Sequence, residues 1–356
     1  MRNTTTRRIA TAALVGAVAT ALFSVPATAE RLDTTAAFAS AAQEFDVPRD
    51  LVVAVGHAES RLAMHAGKPS QDNGFGLMHL VSNPSRHTLE QASAATGASA
   101  STLKNDVGAN IRGGAAVLRA LADAHGLGAT DRDRLGAWYP VVAEYGGASL
   151  PQTRRLYADV VYDLLASGLS AVAPTGERIT VTPRAVTPER GNLAAASTTL
   201  APDYPGAIWN PATSANYASG RTASISTVVI HVTQGSYAGT ISWFQNPDAQ
   251  VSAHYVIRSS DGEVTQMVAD ADTAWHARSA NASSLGIEHE GFVDDPAWFT
   301  DAMYRSSAAV TKWLCDTYGL AKTRDVIVGH SEVPGNDHTD PGPNWDWNYY
   351  MSLVTA

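Results

Sequence analysis

"VIVGHSEVPGNDHTDPGPNWDW", Val326–Trp347, opens as a strand and breaks into an irregular run. The β-branched residues before Gly329 read as a strand that His330 closes. Pro334, Gly335 and Pro341 then bend the chain around His338 and Asp340. Loops that crowd ionisable side chains usually carry function. Working outward, "ISTVVIHV" (225–232) is a second β-rich run with His231 near its end. "SAHYVIRSSDGEVTQMV" (252–268) predicts a hairpin with Asp261 and Gly262 near its turn. "LGIEHEG" (285–291) predicts another strand. Apolar spacing predicts a helix over Asp301–Tyr318, stopped by Gly319, and a last helix over Tyr349–Val354. Strands and helices alternate, so this half is expected to be α/β with a mixed central sheet and flanking helices.

Two strand-end imidazoles, His231 and His330, plus the loop carboxylate of Asp340 make a candidate zinc site. Three protein ligands leave a fourth position open, which is the catalytic arrangement. On spacing alone, a structural role for each histidine stands equally open. Cys315, the only cysteine, lies in "AAVTKWLCDTYG" with helical apolar spacing and reads as a small core residue.

The chain has 356 residues, 45% of them apolar, which suggests two domains with real cores. A net charge of −9 argues against nucleic acid, whose phosphates need a basic patch. Arg2, Arg7 and Arg8 precede an apolar run from Ile9 to Val25 and a small-residue site at Ala27–Ala29. That pattern predicts a secretory signal peptide over 1–29, hence a secreted, cell-wall-associated protein with no membrane contact after cleavage. Residues 30–170 have helical spacing, as in "NIRGGAAVLRALADAHG" (110–126). From 171 to 202 the composition shifts to Ala, Thr and Pro, which predicts a semi-extended linker between separately folding halves. Residues 203–356 form the α/β half.

"VVIHVTQG", "VSAHYVIRSSDGEVTQMV", "AWHA", "SLGIEHEG" and "GHSEVPGNDHTDPGPNWDW" resemble, in order and spacing, the motifs of the zinc N-acetylmuramoyl-L-alanine amidases. That family shares its fold with the peptidoglycan recognition proteins. The resemblance implies a zinc hydrolase that cuts the amide between muramic acid and L-Ala of the stem peptide. It implies His231, His330 and Asp340 as zinc ligands and Glu288 as the general base. Many relatives carry Lys two residues before the third ligand; His338 stands there and is expected to donate to the oxyanion. Glu290 reads as a rim or supporting acid, Trp275 and His276 as groove candidates, and His254 and His289 as structural. Peptidoglycan is the implied partner and a monomer the expected state.

In the first half, "VVAVGHAESRLAMHAG" (52–67) and "DNGFGLMHL" (72–80) resemble the lysozyme-like fold of lytic transglycosylases. The resemblance makes Glu59 a second-site acid. His79 replaces the usual Gln, and Glu144–Gly146 stands where the family has Tyr-Asn. The expected fold is thus multidomain: a helical lysozyme-like domain and an α/β amidase domain. The alternatives are a bifunctional amidase and transglycosylase, or a non-catalytic peptidoglycan-binding protein.

Overall fold

The computed structural model describes Met1, residues 33–195 and residues 201–356. The expected signal peptide lies outside the described residues. Residues 33–356 form one compact unit.

Eight α-helices lie between Thr34 and Ser167. The longest, Val107–Ala124, buries Ile111, Ala115, Leu118 and Ala122, a stripe at three- and four-residue spacing. Asp106 caps it by accepting from the amide of Ala109. Phe38, Leu51, Val55, Trp138 and Tyr157 complete this core.

The second half is built on a six-stranded mixed sheet. From edge to edge the strands run Ile327–Gly329, Thr227–Val232, Ser284–His289, Tyr255–Ile257, Val264–Gln266 and Ile208–Trp209. The three strands Ile327–Gly329, Thr227–Val232 and Ser284–His289 are parallel. Tyr255–Ile257 pairs parallel to the third of these and antiparallel to Val264–Gln266, the expected hairpin. One face packs against the helices Asp301–Tyr318 and Trp347–Thr355 through Val228, Ile230, Leu314 and Tyr350. The other face packs against the helix Tyr237–Phe244 through Ile241, Phe244 and Val256. The parallel strands are buried on both faces, so they read as continuous apolar runs. Cys315 is buried in the core on the inner face of the helix Asp301–Tyr318.

Between the halves the structure differs from the expected linker. Leu169–Val172 and Arg178–Val181 form an antiparallel pair. Ile179, Val181 and Leu193 are buried in the helical core, which also takes in Ala238 of the α/β half. The halves meet along a polar seam. Thr153 donates to Gln245 Oε1 (2.8 Å) and accepts from Asn210 Nδ2 (2.9 Å). Arg61 donates to Ser259 Oγ (2.8 Å) and its guanidinium lies 3.9 Å over the Trp298 ring.

Candidate active site

Strand register assembles the site. Glu288 is the direct neighbour of His231 across two parallel strands, so both side chains leave the same face of the sheet. Gly329 pairs with Ile230, which brings His330 beside His231 just past the strand end. The loop then returns: Ser331 N donates to Asp340 O (2.9 Å), and Val232 N donates to Asp340 Oδ2 (3.3 Å).

His231 Nδ1 lies 3.3 Å from Asp340 Oδ2, and His330 Nδ1 lies 3.2 Å from Asp340 Oδ1. One ligand atom from each of the three residues lies within 4.8 Å of the other two. All three side chains are buried. Burial alone would push the Asp340 carboxyl up, but the adjoining His231 and His330 rings outweigh it and hold it well below the usual carboxylate range. Burial lowers His231 against the pull of Asp340, favouring a neutral imidazole. Two imidazole nitrogens and one carboxylate are a donor set suited to a divalent cation of the first transition row.

The residues behind His231 fit the same group. His231 Nε2 lies 3.0 Å from His276 Nδ1. His276 Nε2 lies 3.2 Å from Ser284 Oγ, whose hydroxyl donates to Ala280 O (2.7 Å). The hydroxyl proton is spent on the carbonyl, so Ser284 accepts from His276 Nε2. His276 Nδ1 must then accept, which puts the His231 proton on Nε2 and turns a lone pair of Nδ1 toward Asp340. Burial holds His276 well below the usual imidazole range, so it stays a neutral relay. A Cβ on Gly286 would come within 2.6 Å of His276 Nδ1, so only glycine leaves the ring its place.

Glu288 is 6% exposed, and its Oε2 has no hydrogen-bond partner among the described residues. Burial, then the nearby Asp340 charge, raises its carboxyl well above the usual range. A cation beside it would act in the opposite sense. His338 is half-exposed, stacks on His330 with centroids 4.2 Å apart, and lies 3.7 Å from Asp340. All six of these side chains line one cleft of about 490 Å³.

Trp275 does not line that cleft, whereas His276 does. Glu290 does not reach it either: its carboxylate accepts from the amides of Tyr237 (2.9 Å) and Ser259 (2.7 Å) and works as a backbone bridge. His289 bridges His231 O and Ser307 Oγ, each at 2.7 Å, and His254 accepts from Gly286 N at 3.0 Å; both are structural. Glu59 is 2% exposed and lies at the seam, accepting from Tyr157 (2.8 Å). The segment Pro69–Gln71 of the helical half lines the cleft as well, a feature that nothing in the sequence signalled.

Residues 221–343 match the N-acetylmuramoyl-L-alanine amidase family model. The chain is 43% identical over 171 residues to N-acetylmuramoyl-L-alanine amidase A of Achromobacter lyticus, covering 43% of this chain and 96% of that protein. It is 41% identical over 115 residues to the 1,6-anhydro-N-acetylmuramyl-L-alanine amidase AmpD of Escherichia coli (strain K12), covering 30% of this chain and 60% of that protein. A crystal structure of a selenomethionine AmpD derivative aligns with 30% identity and a TM-score of 0.36, over 42% of this chain and 94% of that one. By the extent of its likeness to the Achromobacter enzyme, and with the site described above, the chain belongs to the N-acetylmuramoyl-L-alanine amidases.

Proposed function

We propose that this amidase is a secreted zinc hydrolase of the cell wall. Its substrate is peptidoglycan, and the bond cut is the amide between the lactyl group of N-acetylmuramic acid and L-Ala of the stem peptide. One observation carries the reading: two imidazole Nδ1 atoms converge on Asp340 beside an unbonded, buried Glu288. His231, His330 and Asp340 would hold the metal, and His276 would keep His231 in the ligating tautomer. When bound, zinc polarises the scissile carbonyl and makes an attacking water more acidic. Glu288 takes the proton of that water and passes it to the leaving amine. His338, at the cleft, donates to the oxygen on which negative charge develops. The basic and apolar start of the sequence supports export.

The helical half is read as a lysozyme-like domain that serves the amidase and does not cut glycan. A general acid must reach the oxygen that it protonates. Glu59 is 2% exposed with the His79 ring 3.2 Å away, so a glycosidic oxygen has no path to its carboxyl.

The test uses the full chain and purified sacculi. The protein should contain one zinc per chain by elemental analysis and release free stem peptides. Chelator should stop release, and zinc should restore it. His231→Ala should lose both metal and activity. Full zinc retention in that variant would overturn the ligand assignment. Anhydro-muramic ends that vanish in Glu59→Gln would instead establish a second activity.

A further inference from the structure

One wall of the amidase cleft comes from the other half of the chain. Pro69, Ser70 and Gln71 line it together with His231, His276 and Glu288. Their placement is built, not incidental. Gln71 N donates to Gln234 O (3.1 Å), which joins this segment to the turn after the His231 strand. Ser70 Oγ donates to Asp72 Oδ1 (2.6 Å) and accepts from Gly74 N (2.8 Å). Behind them His79 Nε2 lies 2.9 Å from Asp72 Oδ1 and 2.8 Å from Ser70 Oγ. Its Nδ1 lies 3.2 Å from Glu59 Oε2, close enough for an ion contact though not aligned as a hydrogen bond. Ser236 Oγ, the cap of the helix Tyr237–Phe244, lies 3.5 Å from the same Glu59 oxygen. A side chain at Gly74 would overlap the His79 ring.

The order Ser70, His79, Glu59 looks like a nucleophile with its base and orienting acid. The charges exclude that use. Burial pulls His79 down, but Asp72 and Glu59 outweigh it and push it up to about 10. An imidazolium cannot take the Ser70 proton. The cluster is a fixed mount, and what it mounts is the cleft wall.

We propose that Pro69–Gln71 is a substrate-binding wall of the amidase cleft, with the Gln71 carboxamide accepting an amide N–H of the muramyl-peptide. This rests on the amidase reading of the same cleft. Gln71 Oε1 is buried and takes no hydrogen bond from any described residue. A buried acceptor costs free energy until it is paired, so a ligand that supplies the donor gains affinity there. A muramyl-peptide offers such donors in its stem-peptide amides and in its acetamido group.

The experiment compares the full chain with Gln71→Ala and with Gln71→Met, which keeps the side-chain volume and drops the amide. KM for a soluble muramyl-peptide should rise about 3–10-fold in both, the value of one neutral hydrogen bond. The loss should fall on KM far more than on kcat, with metal content and melting temperature held. Dissociation constants are measured in parallel by calorimetry in a Glu288→Gln background, so binding is read even where no bond is cut. A shift of the same size there supports the wall. Unchanged KM and unchanged dissociation constants overturn it. A chain that binds with Gln71-dependent affinity but releases no stem peptide keeps the wall and overturns the amidase reading. Repeating the measurement on the N-deacetylated muramyl-peptide identifies the donor. If the Gln71 effect vanishes, the acetamido group is the partner; if it persists, a stem-peptide amide is.

Discussion

Glu288 and Glu290 occupy the same face by alternation, so the sequence marks both as candidate bases. Register and partners separate them. Glu288 sits beside His231 with an unbonded oxygen, while Glu290 spends both oxygens on backbone amides. Glu288→Gln is therefore expected to keep its metal and lose ~10²–10⁴-fold in turnover, the usual contribution of a general base. Glu290→Gln should lower the unfolding midpoint and leave turnover per folded molecule close to the parent. Metal analysis, kinetics and thermal melts on both variants decide it; a crippled Glu290→Gln with normal stability would reverse the assignment. The convergence of His231, His330 and Asp340 was legible as one of two open readings from the strand ends and the Pro/Gly-bent loop, and the family resemblance pointed to it. The tie from His231 to His276 was not. It depends on a tautomer chain through Ser284 and on the gap left by Gly286, which exist only once the chain is folded.

The strands and helices of the α/β half follow from periodicity, and the hairpin, the long helix ending at Gly319 and the last helix stand where spacing predicts them. The stretch read as a linker shows where composition misleads. "RITV" alternates exposed and buried residues at the period of a strand, hidden between a Gly and a Pro in a Thr-rich context. Its apolar residues cover the helical core, so residues 171–181 are structure and not tether, while residues 196–200 of the expected linker lie outside the described residues. The helix Pro151–Ser167 carries a further join that the sequence does not announce. Thr153, Asn210 and Gln245 are all nearly or fully buried and satisfy one another. Thr153→Val keeps the shape and removes the hydroxyl. It leaves Asn210 Nδ2 and Gln245 Oε1 short of a partner, and should cost about 1–3 kcal/mol in denaturant unfolding. Thr153→Ser, which retains the hydroxyl, should recover most of that. A stable Thr153→Val beside a destabilised Thr153→Ser would show that the methyl, not the network, matters.

At the scale of the whole molecule, the seam turns two recognisable halves into one unit, and the His79 cluster is its charged centre. No single-half pattern could show this, since Glu59, Asp72 and His79 acquire their meaning only when Ser236 and Gln234 close over them. The cluster should write itself into the pH dependence of stability. His79 rises from 6.5 to about 10 in the folded chain, because Asp72 and Glu59 outweigh its burial. Its folded form binds a proton more tightly than the unfolded chain does. The stabilisation is therefore complete below pH 6.5 and fades as pH rises through about 10. Asp72 falls from 3.8 to about 2, because His79 outweighs the burial that would raise it. Its contribution is complete above pH 3.8 and is lost as pH falls through about 2. The two windows overlap between pH 3.8 and 6.5. Thermal melts of the parent and of His79→Gln across this range should differ most inside that window, with the gap closing steadily toward pH 10. A gap that stays constant from pH 6 to 10 would mean that His79 acts by shape alone. The same series read by muramyl-peptide affinity at pH 6 should show His79→Gln binding more weakly than the parent, because the wall is held by the cluster that the substitution dissolves.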